Sequence, residues 1–374
     1  MRGHVDPQAS LYSYFSPESR VPADHPLRSI KSHADTVLKS MHRHFDDIYA
    51  STGRPSIAPE RLLKASLLIA LYSVRSDRLF CEMLDYNILF RWFLDMNLEE
   101  RSLDQSNFSR LRARLVEQDT ACRFFDAVVG QARQQNLLSD EHFTVDGTLI
   151  EAWASTAKSM RRKDVPPSDG GPDDQGMVNF RGERRSNKTH ESATDADAKL
   201  KCKGPGKEAK LCFGAHALME NRNGFCVDLQ VSSALTTETE VADALLERQR
   251  KKRVRPRSLG ADKGYHSKDF VGRLRQRNIA PHIAMIKGRR TPGLDRRTTR
   301  HASYAISQRK RKRVEEIFGW MKAYGGLRRV LVRGLKRVHL QAYLVGAAYN
   351  LLRLSRLRHS WADRCYSTAL PDSC

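Results

Sequence analysis

No stretch of this 374-residue chain is both long and apolar. The nearest, Leu62 to Val74, carries Lys64 and Ser66 inside it, whereas a bilayer-crossing helix needs about 20 apolar residues. The opening residues, MRGHVDPQASLYSYF, lack the apolar core and cleavage site of a secretory leader. These absences predict a soluble, cytoplasmic chain with no membrane partner. Cysteine is sparse: seven residues, at 81, 122, 202, 212, 226, 365 and 374, an odd count with no CxxC spacing. That pattern excludes a disulfide framework or zinc site as the first reading and predicts reduced thiols. Neither GxGxxG nor GxxxxGK[ST] follows a strand-like segment, which weakens a doubly wound nucleotide-binding fold. Acidic residues are also outnumbered, 43 against 65 Lys and Arg, for a net charge of +22. Such a surplus points to a polyanionic partner, nucleic acid first. A basic but otherwise ordinary enzyme is the alternative.

Residues 1–138 read as an all-α domain. Pro59-Glu60 opens a helix with Leu62, Leu63, Ala65, Ser66, Ile69 and Ala70 at helical spacing. Ser76 precedes DRLFCEMLDY, and Asn87 precedes ILFRWFLDM. After Asp104, Phe108, Leu111 and Leu115 fall on one face of a further helix, and Arg110, Arg112 and Arg114 fan over the rest. Short helices ending in a basic one suit a helix-turn-helix-like DNA-binding module. The same residues also suit a bundle with a solvated arginine face.

From 139 the pattern turns to strands and helices. His142 to Asp146 reads as a strand that ends on the aspartate. Residues 156–210 are polar, charged and poor in apolar groups, so they read as a flexible insertion. Leu211 to Met219 and Gly224 to Ser233 read as strands joined at Asn223-Gly224, a hairpin signal. Thr237-Glu-Thr-Glu240 is a capping box for the helix with Val241, Leu245 and Leu246. Arg257 to Asp262 is a strand, Ser267 caps a helix, Ile279 to Ile286 is a strand, and helices follow at about 307–323 and Leu340 to Leu354. This order is that of an α/β RNase H-like catalytic domain with a mixed sheet. The expected layout is therefore 1–138 helical, 139–357 catalytic and 358–374 a tail.

Phosphodiester transfer develops charge on an attacking and a leaving oxygen, and two divalent ions can clamp both. Mg²⁺ is typically held by a few carboxylates plus substrate phosphates. Asp146, followed by Gly147, and Asp262, in Gly-Ala-Asp-Lys-Gly-Tyr265, sit at the ends of strands that lie side by side in such a sheet. Glu315 offers a third carboxylate. On the expected helix Arg311, Glu315 and Lys322 share one side, cations flanking an acid, though an ordinary ion pair between Arg311 and Glu315 fits that spacing too.

These segments resemble the signatures of bacterial insertion-sequence DDE transposases, specifically the IS5 group. Phe143-Thr-Val-Asp146-Gly147-Thr148 is similar to the first-aspartate strand, and Asp262-Lys-Gly-Tyr265 to the D-x-G-Y motif. Arg311, Glu315 and Lys322 match the R, E and K of Y-(2)-R-(3)-E-(6)-K, with Gln308 standing where the family has Tyr. Ser192-Ala-Thr-Asp195-Ala-Asp197-Ala, His216, Glu220-Asn-Arg-Asn-Gly224 and Ala348-Tyr-Asn-Leu351 are also similar. The resemblance spans roughly residues 10–356. It implies catalytic and metal-binding Asp146, Asp262 and Glu315, two Mg²⁺ with Mn²⁺ as a substitute, and DNA contacts from Arg311 and Lys322. It implies cleavage at terminal inverted repeats, strand transfer into target DNA by 3′-OH attack, and a homo-oligomeric synaptic assembly. A non-specific nuclease on the same fold, or a DNA-binding relic, are the competing readings.

Overall fold

The computed structural model describes residues 15–367, apart from 50–51, 53–55, 118, 155–159, 164–184, 205–206, 287 and 289–290. Eight helices come first: α1 (Pro17–Arg20), α2 (Pro26–Ser40), α3 (His42–Ile48), α4 (Pro59–Leu71), α5 (Asp77–Tyr86), α6 (Ile88–Phe93), α7 (Gln105–Glu117) and α8 (Thr120–Gln134). The expected caps are present: Ser76 accepts from Leu79 N–H, Asn87 from Phe90 N–H and Asp104 from Asn107 N–H. Lys64, a residue only 3% exposed, stays within the apolar α4 because its ammonium lies 2.5 Å from both Asp35 and Asp95. A buried charge with two carboxylate partners avoids the full desolvation cost.

Five stretches then build most of the sheet: β1 (His142–Glu151), β4 (Lys199–Cys202), β5 (Ala209–Glu220), β6 (Cys226–Ser233) and β7 (Ser258–Ala261), completed by β8 (Ala280–Ile283). A separate small ladder pairs β2 (Met160–Arg162) with β3 (His190–Ser192). The strand order is β4-β5-β1-β7-β8, with β6 also pairing β5. Strands β1, β5 and β6 form the antiparallel meander, while β7 and β8 add in parallel through α9 (Glu238–Lys251) and α10 (Lys268–Gln276). This is the RNase H-like arrangement expected from the order of elements. Thr237 and Glu240 make the reciprocal capping box at α9, and Ser267 caps α10.

Period-two alternation divides the sheet between two cores. Phe143, Val145, Leu218, Val227 and Leu259 face α9 and α10. Phe213, Ala215, Ala217, Met219, Leu229 and Val231 face the other way. There they merge with the N-terminal helices, α13 (Arg313–Ala323) and α14 (Leu335–Ser367) in one continuous core. The helical region and the sheet therefore share their interior, with α14 wedged between α8 and β6. Gly346 is where α14 comes closest: a methyl group there would collide with Leu229 and lie 3.0 Å from the Phe125 ring. Gly346→Ala is expected to destabilise the chain by about 1–3 kcal/mol through overpacking. Gly130→Ala on α8, where nothing lies within 4 Å of the new methyl, is expected to stabilise it by roughly 0.5–1 kcal/mol. Paired thermal melts check the contrast; equal shifts for both would mean α14 does not dock this tightly.

Three expectations need correction. Asp146 does not end its strand: β1 runs on to Glu151, because β5 continues to pair it through Glu151↔Cys212. What stops near Asp146 is the pairing with β7, last registered at Thr144↔Gly260. Second, the expected flexible insertion is ordered over 160–163 and 185–204; residues 155–159, 164–184 and 205–206 lie outside the described residues. Few apolar groups suffice there because polar ties replace them. Asn187 bonds both backbone groups of Leu200, while Asp195 and Asp197 accept from Gly334 N–H and Leu335 N–H at the start of α14. Third, the single helix expected at 307–323 is two, α12 (Ala302–Lys310) and α13. Between them Val314 N–H and Glu315 N–H reach back three residues, to Arg311 and Lys312 carbonyls, a tighter turn that shifts the helical phase.

Candidate active site

Continuing the parallel register by two residues brings Asp146 level with Asp262 on strands spaced about 4.8 Å apart. Asp262 follows the last residue of β7 and caps a one-turn 3₁₀ helix (Lys263–Tyr265), its Oδ1 accepting from Gly264 N–H at 2.8 Å. That turn folds Tyr265 back beneath the sheet, where it is fully buried against Phe270. The Asp-x-Gly-Tyr spacing is thus a cap, a turn and an anchor.

Asp146 Oδ1 accepts from Gly147 N–H at 2.8 Å. Burial pushes its carboxyl up to about 6; Gly147 N–H opposes this, the carboxylates of Asp262 and Glu238 add to it, and the Arg311 guanidinium pulls back. The two aspartates expected from the sequence are therefore brought together, and Arg311 is beside them. Arg311 does not pair with Glu315, because it lies in the turn before α13 and not on that helix.

Glu315 is exposed on α13, and its side chain makes no hydrogen bond or ion pair among the described residues. Its neighbour Glu316 is also exposed, and its carboxylate meets Arg353 of α14 at 3.5 Å. Lys322 donates to Thr148 Oγ1 at 2.6 Å, two residues along β1 from Asp146. Burial lowers its pKa, and Lys203 and Arg328 lower it further, so cations gather at this end of β1. Among the described residues, no three His, Cys, Asp or Glu side chains stand close enough to hold a metal ion as they are.

Sequence reasoning missed Glu238. This first-turn residue of α9 reaches the aspartates from the opposite face of the sheet: a methyl group on Gly264 would lie 2.9 Å from its Oε2 and 3.1 Å from Asp262 Oδ1. Burial raises its pKa, as does Asp262, and Lys201 opposes them. His216, opposite Gly147 in the ladder, lies across that glycine, with Nδ1 2.9 Å from where a methyl would stand. Burial and Lys201 push the imidazole down to about 4, so it is neutral at physiological pH.

The remaining singled-out residues are structural ties. The buried Glu220 carboxylate accepts from Ser139, Arg222 N–H and Asn223 N–H, fixing the β5–β6 turn. Asn350 pairs both backbone groups of Cys226, extending β6 from α14. Gln308 donates to the His282 carbonyl. Trp320 packs against Tyr324 and Tyr349. On α7, Arg112 is tied to Asp77, whereas Arg110 and Arg114 are exposed. Cys81, Cys122, Cys202, Cys212 and Cys226 are free thiols, and among the described residues no helix is long and apolar enough to cross a membrane.

Residues 140–351 match the family described as "Transposase DDE domain", and 15–114 the "Transposase domain (DUF772)". The chain belongs to the DDE transposase family. DNA transposition is the family's function, and its members generally use divalent metal ions. Among solved structures, the transposase is similar to the piggyBac transposase in a synaptic complex with hairpin DNA. Identity is 11% over 92% of this chain and 77% of that one, with a TM-score of 0.41. It is also similar to a pre-cleavage Mos1 transpososome, at 10% identity over 86% and 87% of the two chains and a TM-score of 0.19. No curated protein matches the transposase.

Proposed function

We propose that this transposase, of the IS5 group, cuts its element at terminal inverted repeats and joins the freed 3′-OH ends to target DNA. The observation that carries the reading is that Asp146 and Asp262 come level just past the last β1–β7 pair, with the Arg311 charge acting on Asp146 and Lys322 held at Thr148. The donors fit a hard divalent cation, Mg²⁺ or Mn²⁺: they are carboxylate oxygens, and the buried Tyr265 hydroxyl near them has no partner among the described residues. Asp146, Asp262 and Glu315 would hold the metal. Bound there, it supplies stabilisation of charge on the attacking and leaving oxygens.

The chain's own residues position the DNA. Arg311 sits beside Asp146, and Lys322 is held at Thr148, where each can take a phosphate as a charge-assisted partner. The exposed cations Lys203, Arg328, Arg329 and Arg333 extend that path and speed encounter with a polyanion. Residues 1–138 bind element ends, with Arg110 and Arg114 exposed for phosphates and Arg112 bracing α7; 139–357 carry the chemistry, and 358–374 form a tail. Two or more copies assemble on the paired ends, and the protein works in the cytoplasm.

Glu315, exposed and without a partner among the described residues, is available to complete the site once DNA is present. Glu315→Gln is expected to retain end binding but to lose cleavage by at least about 10²-fold, while Glu316→Gln stays active. Gel shifts and cleavage assays on DNA carrying the element's ends check both. An active Glu315→Gln beside a dead Glu316→Gln would transfer the role to Glu316. Full cutting in EDTA would remove the metal-dependent mechanism.

A further inference from the structure

We infer that Glu238 is a further ligand of the metal centre formed by Asp146 and Asp262, reaching it from α9 on the opposite face of the sheet to α13. The inference rests on the metal-dependent reading above and adds a residue outside the Arg311-Glu315-Lys322 signature.

A glutamate in a first helical turn usually needs no explanation, since it complements the helix dipole from solvent. Glu238 is placed differently. It is half-buried, and its carboxylate spans the two glycines that follow the aspartates. A methyl on Gly147 would lie 3.4 Å from Oε1, and one on Gly264 would lie 2.9 Å from Oε2. A side chain on Gly264 would press on this carboxylate, whereas one on Gly147 would only touch it and would meet His216 Nδ1 first, so it is the glycine of the second motif that leaves room for Glu238.

Among the described residues the three carboxylates do not stand close enough to hold one ion as they are, and drawing them together at the sheet edge without a cation costs free energy through mutual repulsion and desolvation. Lys201 is the cation that opposes these effects at Glu238, and its ammonium already donates to the Ala234 carbonyl. Two buried polar atoms beside these residues also lack partners among the described residues. The Tyr265 hydroxyl, on a residue 0% exposed, is one. Burial raises its pKa well above the phenol range, and the charges of Glu238, Asp146 and Asp262 add to that in this order. The other is His216 Nδ1, on a residue 4% exposed, at the same Gly147 position that Glu238 Oε1 approaches. Neighbouring carboxylates that have no ion pair among the described residues, beside unsatisfied polar groups, are what a hard cation with its bound water would satisfy.

The test uses the full chain without DNA. Fe²⁺ substituted for the native ion, with ascorbate and peroxide, cleaves backbone next to the metal. Cuts are expected near 146, 262 and 238, suppressed by excess Mg²⁺. Cuts near 146 and 262 with none at 238 would overturn the inference and leave the two-aspartate metal site standing. No localised cutting would overturn both. Mn²⁺ titration followed by electron paramagnetic resonance gives a second readout. Glu238→Gln should weaken Mn²⁺ binding at least about tenfold without lowering the metal-free melting temperature. Wild-type Mn²⁺ affinity in Glu238→Gln, beside its loss in Asp146→Asn, would overturn the inference alone.

Discussion

Asp146→Asn is expected to yield a transposase that is inactive yet more stable than the parent at pH 8 without metal. Activity should fall by about 10³-fold or more, because the substitution removes charge that helps hold the metal at the reacting phosphate. The gain in stability follows from what surrounds the carboxyl. Burial, Asp262 and Glu238 hold Asp146 up at about 6 in the fold, against 3.8 for the free residue. The folded protein thus binds a proton more tightly than the unfolded chain does. Stability is highest below pH 4, falls as pH rises from 4 to 6, and stays reduced above that. Asparagine cannot ionise, and its carbonyl can still accept from Gly147 N–H, so the variant escapes this loss. At pH 8 the gain should be roughly 2 kcal/mol after allowance for partial exposure, and at pH 4 it should vanish. Melting both proteins across this range checks the sign, and cleavage assays check the activity. A variant that melts lower than the parent at pH 8 would mean that Asp146 is not crowded by other carboxylates. Saturating Mg²⁺ should erase the difference by stabilising only the parent.

Much of this site was legible because its chemistry sits in contiguous motifs. The alternation of Phe143 and Val145 announces a strand, and the motifs Asp146-Gly147 and Asp262-Lys-Gly-Tyr265 mark where its carboxylate and that of the neighbouring strand lie. The capping residues Ser76, Asn87, Asp104, Thr237 and Ser267 marked helix starts because each acts on N–H groups two or three residues away. Other features depend on partners distant in sequence. Glu238 is masked by the capping box of Thr237 and Glu240, within which an acidic residue is unremarkable. Only the sheet reveals that it crosses over Gly147, ninety-one positions earlier. Strand β4 offers just Leu200 as an inward apolar residue, too little for a periodic signal. The break at Arg311 and Lys312 falls in an unbroken run of good helix formers, Arg309-Lys-Arg-Lys-Arg313, with no glycine or proline to mark it. The joint core of helices and sheet was hidden for a related reason: an amphipathic face shows that a helix is covered, not by what.

That joint core makes the largest structural prediction. A fragment of residues 1–138 is expected not to fold cooperatively, even though sequence boundaries suggest a self-sufficient DNA-binding module. Helices α2, α4 and α8 close against α14, which lies more than 190 positions beyond the fragment's end. Phe125 packs with its ring centroid 5.3 Å from that of Tyr343 and lines the close approach at Gly346. Ala342, Leu344, Val345, Ala348 and Leu351 fill the same core. Removing α14 exposes these surfaces together, and each large side chain returned to water forfeits about 1.5–3 kcal/mol. The total exceeds the margin by which most domains are stable. Circular dichroism of the fragment should show residual helix without a sharp melting transition, while the full chain melts with the helical region and sheet coupled. A cooperative melt in the fragment would establish an independent module and leave α14 as a passive cover. Deciding whether α7 touches DNA therefore requires the intact chain and a choice among its arginines. Arg112→Ala breaks the tie to Asp77 and confuses folding with binding. Arg110→Ala and Arg114→Ala remove exposed guanidinium groups and should reduce the salt dependence of binding by about one unit of slope for each phosphate left without its arginine. Unchanged slopes in both would make the arginine face of α7 solvent-facing and transfer end recognition to the catalytic part.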